Sequence, residues 1–132
     1  DMNEQERLTY IHYRLDRAEK TLAEARTLFE TTQMFGAVNR IYYAMFYAVS
    51  ALAFAHAFTT ASHSQLRGYF NREFVKKGLI PAQHGKAYGI AFDSRKKGDY
   101  DDLVEFEKEQ VHEMFSEATA FLHVIKELIN PK

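Results

Sequence analysis

The chain has 132 residues, enough for one domain around a single hydrophobic core. Charged residues make up 27% and hydrophobic ones 46%, which excludes an extended disordered chain. The absence of cysteine excludes a disulfide framework, a thiolate metal site and a thiol nucleophile, and it suits a reducing cytoplasm. A net charge of −1 gives no global attraction to nucleic acid.

The first residues, Asp1-Met2-Asn3-Glu4, are polar and unlike a signal peptide. From about Asn3 to Thr31, Leu8, Ile11, Leu15, Ala18, Leu22, Ala25 and Leu28 recur in steps of three and four. That spacing predicts a long helix with one apolar face. Its other face carries Glu4, Arg7, Arg14, Arg17 and Glu24. Thr31-Thr32 and Gly36 mark a break before a second helix, about Phe35 to Ala57. This one is apolar nearly all round and belongs at the centre of a bundle. Its stretch Ile41 to Ala55 is about 15 residues, short of the ~20 that span a bilayer, so a buried helix and no membrane segment is expected.

Ser62, three residues before Gln65, predicts a capping box at the start of a third helix, about His63 to Val75. Gly78 punctuates its end, and Pro81 suits the first turn of a fourth helix, about Ala82 to Lys97. Gly98 and Asp99-Tyr100-Asp101-Asp102 read as a solvated loop that caps the last helix, about Val104 to Ile129. There Val111, Met114, Ala118, Phe121, Ile125 and Leu128 repeat the one-sided pattern. No segment alternates with period two. The expectation is an all-α fold: an antiparallel bundle of about five helices in a single domain, residues 1–132.

Chemistry concentrates in Asn39-Arg40-Ile41-Tyr42-Tyr43-Ala44-Met45-Phe46-Tyr47. Arg40, Tyr43 and Tyr47 fall on one helix face, spread over roughly 10 Å of axis. A guanidinium suits phosphate, and phenols hydrogen-bond phosphate or stack on bases. The alternative is structural: Arg40 pairs with a carboxylate of a neighbouring helix while the tyrosines pack the core. Arg67, Arg72, Lys76 and Lys77, and Arg95 to Lys97, read as solvated helix faces. The histidines show no zinc-ligand spacing, and the acidic loop lacks the pattern of a calcium loop, so no metal and no cofactor is expected.

The run Asn39 to Ala48 strongly resembles the signature of the HEPN family. So do Gly36-Ala37-Val38, His63-Ser64, Phe74 to Pro81 and Arg95 to Asp102, in order along nearly the whole chain. The resemblance implies a compact helical bundle that often dimerises. In many prokaryotic relatives it also implies a metal-independent ribonuclease toxin, neutralised by a partner with a minimal nucleotidyltransferase fold. The family's catalytic pattern is an arginine followed, after four to six residues, by a histidine. Arg40 matches the arginine, and the histidine position falls on Tyr47.

Metal-free RNA cleavage needs a base, an acid and positive charge on the developing phosphorane. A tyrosine with pKa near 10 is a poor base at neutral pH, where histidine near 6.5 exchanges protons readily. Losing a positioned acid–base group typically costs ~10² to 10⁴ in rate. His56 lies half a revolution away from Tyr47 and reads as a helix-end residue. His63 reaches the Arg40 edge only through the tertiary fold or from a second protomer. Two readings follow. One is a homodimeric interaction module that binds a partner protein, nucleotide or RNA through Asn39, Arg40 and Tyr43, with a degenerate Arg40–Tyr47 pair. The other is a ribonuclease toxin in which Tyr47 or His63 supplies the missing group.

Overall fold

The computed structural model describes residues 2–130. Its helices are α1 (Glu4–Glu30), α2 (Met34–Ala55), α3 (His63–Phe70), α4 (Ala82–Tyr100) and α5 (Lys108–Ile129), with a π-helical turn at Asn71–Val75. No strand occurs among the described residues.

α1 opens on a full capping box. Asn3 Oδ1 accepts from the Glu6 N–H at 2.8 Å, and Glu6 Oε1 accepts from the Asn3 N–H at 2.9 Å. Ile11, Leu15, Ala18, Leu22 and Ala25 are buried as their spacing predicts. Leu8 departs from the expected stripe and is 40% exposed. Arg7 takes its place over the end of α2, donating to the carbonyls of Phe54 and Ala55 at 3.1 and 3.4 Å. These bonds satisfy α2 carbonyls that have no partner inside the helix.

Tight reversals end both α1 and α2. Thr32 (φ 58°) and Ala57 (φ 62°) are left-handed, and the next N–H groups reach back to Leu28 O at 2.8 Å and Ala53 O at 2.9 Å. This closure satisfies terminal carbonyls and turns the chain at once. Arg7 beside Phe54 and Glu24 beside Arg40 set α1 antiparallel to α2. α5 runs antiparallel to α1, with Lys126 on Glu19 at 2.9 Å and His112 on the Phe29 ring at 5.7 Å.

α2 is the most covered element, packed by α1, α5, α4 and α3. Ala37, Val38, Ile41, Ala44, Met45, Ala48, Val49 and Leu52 are all buried. Beside it lies an aromatic layer of Tyr42, Phe70, Tyr88 and Phe121, with ring centroids 5.5 to 6.2 Å apart. Offset and edge contacts at such spacings favour aromatic pairs beyond their area alone.

Three expectations are corrected. Gly98, Asp99 and Tyr100 belong to α4 and not to a loop. An Arg95–Asp99 pair at 3.0 Å supports that last turn, and Gly98 leaves room for Phe106, which a Cβ would meet at 3.3 Å. α5 starts at Lys108, four residues later than expected (108 − 104), and its N-cap Glu107 makes no side-chain bond, so the acidic stretch does not cap it. The third helix is interrupted by the π-helical turn, and its capping box is half-formed. Ser62 Oγ accepts from the Gln65 N–H at 3.1 Å, while Gln65 Oε1 accepts instead from the Thr60 hydroxyl at 2.8 Å. Gly78 (φ 78°) does terminate the segment, where left-handed backbone favours glycine.

Leu52 is fully buried at the centre of this packing. Leu52→Ala is expected to lower the unfolding free energy by about 2–5 kcal/mol in denaturant melts. A loss below about 0.5 kcal/mol would contradict a central α2.

Candidate functional site

The edge of α2 that escapes burial begins at Arg40. Asn39 Oδ1 accepts from Arg40 Nε at 3.0 Å and Nη2 at 2.8 Å, so Asn39 fixes the guanidinium. Arg40 Nη1 faces Glu24 Oε1 of α1 at 3.5 Å, which is the neighbouring-helix pairing anticipated for a structural arginine. Glu24 is 61% exposed there, and exposed pairs of this kind contribute about 0–1 kcal/mol. The guanidinium also lies 5.2 Å from the Tyr43 ring.

Tyr47 stands one step further along. Its hydroxyl accepts from Arg17 Nη2 at 3.3 Å, and its ring lies 4.9 Å from the Arg17 and 5.6 Å from the Arg14 guanidinium carbons. Tyr43 and Tyr47 are 6.1 Å apart and half-buried. Among the described residues neither Arg14 nor Arg17 forms an ion pair. The edge therefore sets two phenols between cations: Arg40, then Tyr43 and Tyr47, then Arg17 and Arg14. Sequence reasoning placed those last two on a merely charged face. Their spacing of three, beside Tyr10 and Tyr13 on the same helix, was the available signal.

The fold also carries His63 to α2. Its ring stacks on Phe46 at 4.3 Å and meets Tyr43 edge-on at 5.7 Å. Its Nδ1 lies 2.6 Å from the Tyr42 hydroxyl. Burial pushes the Tyr42 phenol up to about 12, so it keeps its proton at neutral pH. With the phenol donating to Nδ1, the neutral imidazole carries its proton on Nε2; in the other tautomer Nδ1–H donates to the phenol oxygen and Nε2 is left as a base.

Arg95 lies 4.9 Å from the Tyr42 ring and 5.8 Å from the Tyr43 ring, with its side chain only 13% exposed. It is thus no solvated face residue, contrary to expectation. Its Nε is buried without a hydrogen-bond partner. Arg72 and Lys77 pair with Glu73 on the surface, and Arg67 pairs with Asp93. His56 sits at the end of α2 against Phe74. Among the described residues no three metal-ligating side chains converge, and no helix is long and apolar enough to cross a membrane.

Burial first, and then the Arg95 charge, hold His63 below its ordinary 6.5. The unfolded chain therefore binds this proton more readily than the fold. The resulting stability is fully present above the ordinary value and is lost as pH falls through it toward the depressed one. The melting temperature is expected to fall between about pH 7.5 and pH 5.5, and to fall less in His63→Gln. Identical pH dependence in both proteins would contradict this placement of His63.

A family model described as the HEPN domain matches residues 11–128. The chain is 45% identical over 128 residues to the "UPF0332 protein" of Thermotoga maritima, covering 97% of this chain and 96% of that protein. It is 30% identical over 118 residues to "Putative toxin MJ0142" of Methanocaldococcus jannaschii, covering 89% and 80%. To "Putative toxin MJ0605" of the same organism it is 32% identical over 114 residues, covering 85% and 83%. With the model match spanning nearly the whole helical bundle, this chain belongs to the HEPN domain family.

Proposed function

We propose that this HEPN protein binds RNA along the exposed edge of α2 and cleaves it little or not at all. The observation that carries this reading is the Tyr47 phenol between the guanidiniums of Arg14 and Arg17. It continues the row that begins with Arg40 over Tyr43. Cations flanking half-buried rings attract phosphates while the rings accept bases. In this reading Arg40 and Tyr43 touch RNA, and Asn39 positions Arg40. Glu24 yields its weak surface pair to a phosphate. Tyr47 fills the place where proton transfer would need a group with pKa near neutrality. A cytoplasmic homodimer and a partner of minimal nucleotidyltransferase fold complete the proposal; relatives named as toxins support the partner.

The second reading, a metal-independent ribonuclease toxin, is favoured by those same names and by His63 lying against Tyr43. It requires the His63 tautomer that donates from Nδ1 to Tyr42 and leaves Nε2 as a base, or the Tyr47 phenol to take part in proton transfer.

Binding of a labelled single-stranded RNA to purified protein, with cleavage followed in the same samples, separates the two. Arg40→Ala is expected to weaken binding at least about tenfold, equivalent to about 1.4 kcal/mol. Tyr47→Phe is expected to change no rate. Tyr47→His is expected to fold and to introduce some cleavage. Efficient metal-free cleavage by the wild type, abolished in Tyr47→Phe or His63→Gln, would establish the toxin reading instead.

A further inference from the structure

A cavity of about 310 Å³ lies where α1, the end of α2 and the start of α3 meet. Tyr10, Arg14, Ser50, Phe54, Phe58 and Thr59 line it. Its volume falls in the roughly 300–1,000 Å³ range of small-molecule sites. The walls are set by contacts within the fold. Tyr10 packs on Phe54 at 4.6 Å, and Phe58 lies flat on Tyr69 at 4.0 Å with only 3° between planes. Arg7 ties down the Phe54 carbonyl at 3.1 Å.

Polar chemistry in the cavity is sparse and of one sign. No carboxylate lines it, and Arg14 is the only charged lining residue. Arg14 Nε donates to the Tyr10 hydroxyl at 3.0 Å, while its guanidinium carbon is 5.6 Å from the Tyr47 ring. One side chain thus joins the cavity to the α2 edge. Arg17 stands a further ~4.5 Å along the α1 axis, beside the same ring. Ser50 and Thr59 add hydroxyls that can read the edge of a planar ring. The concavity of about 430 Å³ between α4 and α5 differs in the decisive respect: Glu113 and Glu117 share its lining with Lys86, which disfavours an anion.

From this arrangement we infer that the cavity holds the base of a nucleotide, with its phosphate on Arg14 and directed toward Arg17. Aromatic walls take the flat apolar faces of a base, hydroxyls its polar rim, and guanidiniums the phosphate. This assignment rests on the α2 edge being the phosphate-binding face. The same chemistry fits a free mononucleotide or one nucleotide of an RNA strand.

Titrations of the full chain with AMP, GMP, CMP and UMP, with adenosine, and with a labelled single-stranded RNA test it. Wild type is compared with Ser50→Met, which fills the cavity, with Arg14→Gln at its mouth, and with Arg40→Ala. Lys86→Ala serves as a control in the α4–α5 groove. At least one monophosphate is expected to bind the wild type. Ser50→Met and Arg14→Gln should each weaken it about tenfold or more, with Lys86→Ala unchanged and adenosine weaker than AMP. A parallel loss of RNA binding in Ser50→Met identifies the strand as the source; mononucleotide binding alone identifies the free nucleotide. Should Ser50→Met fail to fold, Arg14→Gln carries the comparison. RNA binding that depends on Arg40 but ignores both cavity variants, with no mononucleotide bound, overturns the cavity and leaves the edge. Loss in the cavity variants with no effect of Arg40→Ala overturns the edge reading and leaves the cavity. No binding of either ligand overturns both.

Discussion

Half of the 22 residues of α2 are buried, and the fold is arranged to bury them. At about 25 cal/mol per Å², covering such a helix is a larger driving force than any single polar contact in the molecule. α1 lies along it, α5 and α4 fill two more sides, and α3 closes part of the remainder. Among what is left is a strip from Asn39 to Tyr47, which holds Asn39, Arg40, Tyr43 and Tyr47. Arg40, which has no place in an apolar interior, therefore marks the exposed edge.

That edge concentrates positive charge in a chain whose net charge is −1. Arg14 and Arg17 come from α1, Arg40 from α2 and Arg95 from α4, and phenol rings lie between them. Glu24 and Asp99 answer Arg40 and Arg95, whereas among the described residues Arg14 and Arg17 form no ion pair and contact the Tyr10 and Tyr47 rings and hydroxyls. Arginine is weakly hydrated and stacks readily, so rings can hold a guanidinium without neutralising it. A face built this way keeps its charge available to an anion.

The periodicity of three and four made the long helices legible, because Ile11 to Ala25 and Val111 to Ile125 each face one neighbour layer. It failed where tertiary contacts override local signals. Gly98 looks like a helix end but serves as a seat for Phe106, and Leu8 continues a stripe that Arg7 displaces. Arg40, Tyr43 and Tyr47 were visible as one face, since they share a helix. His63 beside Tyr42, and Arg95 over the same ring, come from distant segments that no single-helix spacing relates. The residues missed, Arg14 and Arg17, had an interpretable pattern of their own. Their pairing with Tyr47, thirty positions from Arg17, was not legible from spacing within one helix.

The most direct measurement is a titration of the isotopically labelled protein with a short single-stranded RNA, followed residue by residue by NMR. If the α2 edge is the binding face, shift changes will cluster at Asn39 to Tyr47 and at Arg14 to Arg17. Changes confined to the α4–α5 groove around Ile90 and Glu113, with that edge unperturbed, would contradict it.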